Sequence, residues 1–84
     1  MQDRKVFSGQ IWRHYKGNLY TIICLARDES TEKEVVVYQK TKEDFFRTDE
    51  LPWVRPLDNF LEVISSDEGT NFYRFELVYP NQLP

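Results

Sequence analysis

Cysteine, glycine and long apolar runs are all scarce in this sequence of 84 residues. A single cysteine, Cys24, excludes an internal disulfide and is typical of proteins from a reducing cytoplasm. Because Cys24 lies in the apolar stretch IICLA, it is predicted to be a small buried side chain. No stretch approaches the ~20 apolar residues of a membrane helix, and the amino-terminal cations precede no apolar signal segment. We therefore expect a cytoplasmic protein that does not enter a membrane.

Positive charge is also in deficit, with 11 Lys+Arg against 14 Asp+Glu and a net charge of -3. This balance argues against an overall cationic surface for nucleic acid. The deficit is uneven, because residues 1–27 carry a net charge of +4 and the remaining 57 residues carry -7. The amino-terminal third could therefore form a local phosphate-contacting edge from four cations, namely Arg4, Lys5, Arg13 and Lys16.

The pattern of side chains in the first half of the chain predicts strands. Residues 10–15 alternate in chemistry, and residues 19–26 are apolar on both faces, which suits a central strand. Gly17 and Asn18 between them tolerate positive φ and predict a hairpin turn. Residues 35–39, VVVYQ, predict the next strand, and residues 45–48 a further short one.

The second half contains the one helical signal. Pro56 suits the first position of a helix, and Leu57, Phe60, Leu61 and Ile64 follow at helical spacing. Residues 71–78 alternate again and predict a last strand. Together these elements predict one domain over residues 1–84, mainly β, as a small bent barrel of about five strands with one short helix near residues 56–65.

Four motifs carry a family resemblance: HYKGNLY, VVVYQ, WVRPLDNFLE and YRFE. In this order and spacing they resemble the bacterial domain of unknown function 1653 family. The resemblance implies an SH3-like β-barrel and no activity, since the family has none assigned. It implies the following family positions: His14, Lys16, Gly17, Tyr20, Tyr38, Trp53, Arg55, Pro56, Phe60, Arg74 and Phe75. The sequence departs from the family pattern after LAR, where Asp28 stands in place of a histidine.

Catalytic and metal-binding chemistry find little support among these residues. His14 is the only histidine, and it lacks a recognisable partner and orienting group, so we expect its ring to pack or hydrogen-bond beside the hairpin. One histidine and one cysteine cannot complete a zinc shell, and no carboxylate spacing resembles a calcium loop. We therefore expect no enzyme, no metal and no cofactor.

Trp53 and Arg55 carry the sharper hypothesis. They lie two residues apart on an extended segment and so point the same way, where an indole and a guanidinium can stack and grip an anion. The competing interpretation is structural: Trp53 closes one end of the barrel, and Arg55 pairs with an acid such as Glu76 or Asp58. Sequence alone leaves both interpretations open.

The function that follows is a binding or interaction module for a protein or peptide partner. Its predicted binding patch consists of five residues: His14, Lys16, Tyr20, Trp53 and Arg55. The alternative is a nucleic-acid-binding module that uses the basic amino-terminal hairpin together with the Trp53 and Arg55 pair. The sequence does not fix an oligomeric state.

Overall fold

A computed structural model describes residues 4–80 and shows seven strands and one short helix in that part of the chain. The elements are β1 (Ile11–His14), β2 (Leu19–Arg27), β3 (Glu34–Thr41), β4 (Trp53–Pro56), α1 (Leu57–Phe60), β5 (Val63–Ser65), β6 (Asn71–Tyr73) and β7 (Phe75–Tyr79). The prediction of a mainly β protein with one short helix is confirmed. No helix within residues 4–80 is long and apolar enough to cross a membrane.

The strands form two antiparallel sheets, one of five strands in the order β4-β3-β2-β1-β7 and one of two strands, β5 and β6. The first four strands are a meander, and β7 returns to pair with β1. The end strands β4 and β7 do not pair within the described residues, so the predicted small bent barrel of about five strands is an open five-stranded sheet and not a closed barrel. β4 has only four residues and ends at Pro56, which lacks the N–H that a longer ladder would need.

The first hairpin is built as predicted. Gly17 has φ 114°, a conformation that its missing side chain permits, and its N–H donates to the His14 carbonyl at 2.7 Å. The His14 N–H donates to the Asn18 carbonyl at 2.8 Å. The turn therefore holds the end of β1 beside the start of β2 at one end of these two interior strands.

Cys24 is exposed, so the prediction that it is buried is wrong. The reason lies in the pairing of β2 with β3, where the register shifts between Ile22 and Cys24. Ile22 before the bulge is 1% exposed, whereas residues 24–27 after it are all exposed. A bulge re-aims the side chains that follow it, so only the first half of β2 contributes to the core.

The helix is a single turn, shorter than the predicted segment near residues 56–65. Pro56 has ψ 140° and precedes the helix as its cap, and Leu61 ends it. Ile64, whose spacing fitted a second helical turn, belongs instead to β5 and pairs with Phe72. The β-branched pair at positions 63 and 64 favours a strand over a further helical turn.

Two further strand predictions need correction. Residues 71–78 form two strands in different sheets, separated at Arg74, whose N–H donates to the Glu62 carbonyl at 2.9 Å. Residues 45–48 are not a strand: Phe45 has φ 71° in a turn closed by its N–H on the Lys42 carbonyl at 2.8 Å. An isolated bridge between Thr41 and Arg47 and the Thr48 N–H on the Lys40 carbonyl, at 3.0 Å, join this loop to the sheet.

Aromatic rings dominate the core between the sheets and the helix. Phe60 stacks on Phe75 with ring centroids 3.9 Å apart, and Trp12 meets the edge of Phe60 at 5.3 Å. The indole Nε1–H of Trp12 donates to Gln10 Oε1 at 3.0 Å, so this buried polar atom is satisfied. Phe75 therefore has a fixed position, which matters because one of its faces borders the candidate site.

Candidate functional site

All five residues of the predicted binding patch border one concavity of about 190 Å³. We call this concavity the aromatic-cationic cleft, and three residues that were not predicted for the site complete its lining. The lining residues are His14, Lys16, Asn18, Tyr20, Tyr38, Trp53, Arg55 and Phe75. Separate parts of the sequence, the first hairpin and β4, thus meet in one place, while the binding role of these residues stays a prediction.

Strand pairing explains why β4 contributes to the cleft. β4 pairs with β3 so that Trp53 lies opposite Tyr38 and Arg55 opposite Val36. Alternation along β4 places Trp53 and Arg55 on the cleft side, as predicted, while Val54 between them is 62% exposed and does not line the cleft. The sheet edge therefore presents an indole and a guanidinium together.

The hairpin supplies the opposite wall. His14 ends β1, Lys16 and Asn18 lie in the turn, and Tyr20 follows in β2. Tyr20 meets the edge of the Tyr38 ring at a centroid distance of 5.2 Å. This contact connects the hairpin wall to Tyr38 of β3, which lies beneath it.

The floor of the cleft is aromatic and rigid. Tyr38 and Phe75 meet edge to face at 5.5 Å, and both are almost completely buried. His14 also meets Phe75 edge to face, at 4.9 Å. Because Phe75 is stacked in the core on its other side, the floor cannot move without disturbing the fold.

Arg55 is held by neutral groups. Its Nε–H donates to the Tyr38 hydroxyl at 3.1 Å and its Nη1 donates to Asn59 Oδ1. Within residues 4–80 no carboxylate forms an ion pair with Arg55, and the pairing that the structural interpretation expected with Glu76 or Asp58 is not observed. A guanidinium carries five N–H donors, so several remain for another acceptor.

His14 is a neutral hydrogen-bonding group in this setting. The Lys16 backbone N–H donates to His14 Nδ1 at 3.1 Å, which places the ring proton on Nε2. Burial lowers the pKa of His14 below its ordinary value, and the charges of Arg55, Arg74 and Lys16 lower it further. The ring therefore packs beside the hairpin as expected, with three cations near it.

Trp53 stands at the rim of the cleft with 54% of its surface exposed. It is therefore not a plug closing a barrel end, which was the other half of the structural interpretation. Lys16 is exposed on the opposite side, with its Nζ 5.9 Å from the Tyr15 ring centroid. The rim thus offers one aromatic face and one exposed positive charge to a ligand.

Two of the four cations proposed for a basic edge are engaged elsewhere. Arg4 donates to the carbonyls of Phe75 at 2.6 Å and Leu61 at 2.7 Å, and its guanidinium lies 3.6 Å from the Tyr73 ring centroid. Arg13 donates to the Gly17 carbonyl at 2.7 Å and forms an ion pair with Glu43 at 3.5 Å. Lys5 and Lys16 form no ion pair with another described residue and are left for a polyanion.

Sequence reasoning missed Asn18, Tyr38 and Phe75 as lining residues, and Asn59 as the group that orients Arg55. Asn59 lies four residues after Arg55, and the chain between them enters α1. The sequence held no firm signal for this contact, because Arg55 itself lies in β4 and Pro56 between it and the helix is extended, with ψ 140°. No metal-binding cluster of three or more His, Cys, Asp or Glu occurs in the described range, 4–80.

Comparisons with known proteins agree on one family. The family described as "Protein of unknown function (DUF1653)" matches residues 10–77. A crystal structure of a protein belonging to DUF1653 from Bordetella bronchiseptica is similar, with 32% identity and a TM-score of 0.66. The match covers 93% of this chain and 91% of that one. No curated protein matches the chain.

Proposed function

The chain belongs to the DUF1653 family of proteins of unknown function, and we propose that it is a binding module that holds a peptide segment of a protein partner in the aromatic-cationic cleft. One observation carries the proposal: the two walls, from residues 14–20 and from β4, meet to form a single concavity. Concave sites with mostly aromatic walls and a few convergent polar groups are typical of binding sites.

The position of the cleft suits an extended chain. β4 is an end strand of the five-stranded sheet, with β3 as its single neighbour among the described strands. An extended peptide can add to such an edge through main-chain hydrogen bonds while its side chains enter the adjacent pocket. The half-exposed Trp53 at this edge would supply apolar contact area of the kind that anchors peptides.

Nucleic-acid binding is the second candidate, favoured by the exposed Trp53 beside a cation without a carboxylate partner in the described chain. The engagement of Arg4 and Arg13 elsewhere makes the basic edge smaller than its four cations suggested. The net charge of -3 also opposes a polyanion. A peptide therefore fits the charge of the molecule better.

The test is selection of a phage-displayed peptide library on the immobilised protein, with Trp53→Ala and Val54→Ala as paired variants. Val54 is the matched control because it neighbours Trp53, is exposed and does not line the cleft. We expect the selection to yield peptides that bind the wild type and Val54→Ala with similar affinity. Trp53→Ala should bind the same peptides about tenfold more weakly or worse, as at an aromatic hot spot. Circular dichroism first establishes that both variants fold.

Two results would contradict the proposal. One is a selection that enriches no peptide over an inert protein, and the other is equal retention by all three proteins. A parallel arm offers single-stranded nucleic acid at rising salt. Capture that falls steeply with salt would favour the second candidate, because phosphate contacts release counterions.

A further inference from the structure

Arg55 is a positive charge on the β4 wall of the cleft, and its two bonded partners are both neutral, the Tyr38 hydroxyl and the Asn59 amide oxygen. These bonds fix the guanidinium without cancelling its charge. Ion pairs of the described chain join Arg13 to Glu43, Lys40 to Glu50 and Arg74 to Glu62, and none involves Arg55. Arg55 is thus oriented and still electrostatically unmatched.

The surroundings of Arg55 extend this positive field. Lys16 lines the same cleft, and the lowered pKa of His14 has Arg55, Arg74 and Lys16 among its causes. Of these, Arg74 is paired with Glu62 at 2.7 Å, so within residues 4–80 Arg55 and Lys16 are the two cations of this group without an ion pair. His14 adds a neutral Nε2–H that can donate to an oxygen.

We propose that the aromatic-cationic cleft binds a carboxylate carried by the peptide, with Arg55 on the β4 wall as its bidentate donor and Lys16 and His14 on the hairpin wall as flanking groups. The inference rests on the proposed function and names the chemistry that the cleft would recognise. A planar carboxylate matches the fork of a single fixed guanidinium. The same two charges disfavour a cationic ligand such as a methylated lysine.

The volume of the cleft limits the ligand group that enters it. About 190 Å³ holds one side chain or one chain terminus and excludes a larger part of a folded partner. Both an aspartate or glutamate side chain and a free carboxyl terminus present the same carboxylate. The phosphate of a phosphopeptide is the competing anion and becomes an outcome of the test.

The experiment begins with fragments, so that it does not depend on a peptide being found. N-acetylglycine and its neutral amide are titrated into the protein while the ring signals of His14 and the indole signal of Trp53 are followed by NMR. We expect shifts with the acid and none with the amide. His14 is the single histidine of the sequence, so its signals need no assignment against another.

Two variants attribute the shifts to Arg55. Arg55→Gln removes the guanidinium and should abolish them, whereas Arg47→Gln removes an exposed arginine outside the cleft and should leave them unchanged. Arg55→Lys keeps the charge without the fork and should restore weaker shifts than the wild type. Equal shifts in wild type and Arg55→Gln would overturn the inference.

Peptides from the library then separate the two possible sources of the carboxylate. Each selected peptide is compared with versions in which Glu or Asp is replaced by its amide, in which the carboxyl terminus is amidated, and in which phosphoserine replaces the acid. We expect one amide exchange to weaken binding by about tenfold or more, as loss of a charged hydrogen bond does. The exchange that does so identifies the source.

The outcomes separate this inference from the proposed function. Peptides that depend on Trp53 but bind equally well as amides would leave the binding module standing and overturn the carboxylate. The same conclusion would follow if the phosphoserine versions bind more tightly than the original peptides while no exchange of a carboxylate for an amide weakens binding. If no peptide is selected but N-acetylglycine still shifts His14 through Arg55, the carboxylate site stands and the peptide partner is overturned.

Discussion

Two arginines of this protein, Arg4 and Arg55, lie against aromatic rings but differ in the groups to which they donate hydrogen bonds. Arg4 donates to two backbone carbonyls, of Phe75 and Leu61, and stacks on Tyr73 at 3.6 Å. Arg55 donates to two side chains, and its guanidinium carbon lies 5.7 Å from the Phe75 ring centroid. Arg4 therefore joins distant segments of the backbone. Arg55 instead borders an open concavity and keeps N–H groups that can donate to a further acceptor.

The difference shows how hydrogen-bond partners distinguish architecture from a candidate site. Backbone carbonyls that accept from Arg4 lose their partner if it is replaced, and the amino-terminal segment loses its attachment to β7. Of the two partners of Arg55, Tyr38 lines the cleft, where water can replace the guanidinium. We therefore expect stability to depend on Arg4 and the electrostatics of the cleft to depend on Arg55.

The largest expected effect is on stability. Arg4→Met should lower the free energy of unfolding by about 2 kcal/mol, since two charge-assisted hydrogen bonds and a cation-π contact are lost. Arg55→Met should lower it by less than about 1 kcal/mol, within the range of most surface changes. Urea unfolding followed by tryptophan fluorescence measures both.

Lys5→Met is the matched control for that comparison, because it removes an exposed neighbouring charge. Its unfolding midpoint should stay near that of the wild type. If Arg55→Met lowers the free energy of unfolding as much as Arg4→Met does, the distinction between the two arginines is wrong, because Arg55 would then stabilise the fold in the same way as Arg4.

Sequence reasoning succeeded where a short pattern decides the geometry. Alternation alone placed Trp53 and Arg55 on one side of an extended segment, and Gly17 marked the first turn. Ile64 misled because it lies at helical spacing from Leu57 and Phe60, although the helix ends at Phe60 and β5 begins after two intervening residues. The signal of the β-branched pair Val63 and Ile64 was the stronger one.

Long-range contacts account for what the sequence could not show. Arg4 meets Phe75 at a separation of 71 residues and Leu61 at 57, and no local pattern encodes such a partner. The exposure of Cys24 likewise depends on a bulge in the pairing of β2 with β3. The convergence of His14 with Arg55 is of the same kind, since it requires the full sheet order.

The next prediction concerns the charge of Arg55. Removal of this cation in Arg55→Gln should raise the pKa of His14, because Arg55 is one of the charges that lower it. Arg47→Gln, outside the cleft, should leave the pKa of His14 unchanged. NMR titration of the histidine ring measures both, and a His14 pKa that stays constant or falls in Arg55→Gln would show that the guanidinium does not act on the ring.

The smallest expected effect is a pH dependence of stability that arises from the same ring. The pKa of His14 in the folded protein lies below its ordinary value of 6.5. As the pH falls below that value the unfolded chain takes up the proton first, so the free energy of unfolding decreases until the pH has passed the folded pKa. The Asp28 carboxyl, whose pKa is lowered from 3.8 by hydrogen bonds from Ser30, acts at lower pH.

Urea unfolding between pH 7.5 and 5 therefore isolates the contribution of His14 among the described groups with shifted pKa values. We expect the wild type to lose stability across this window and His14→Asn to lose less, so that the two curves approach each other on acidification. The stability that Arg55→Gln loses across this window should lie between the losses of the other two proteins, because one cause of the lowered His14 pKa is removed while burial remains. If the wild type instead gains stability relative to His14→Asn as the pH falls, a negative charge must face the His14 ring. The cleft would then contain a carboxylate, as the surroundings of Arg13 do, and Arg55 would not be an unpaired cation.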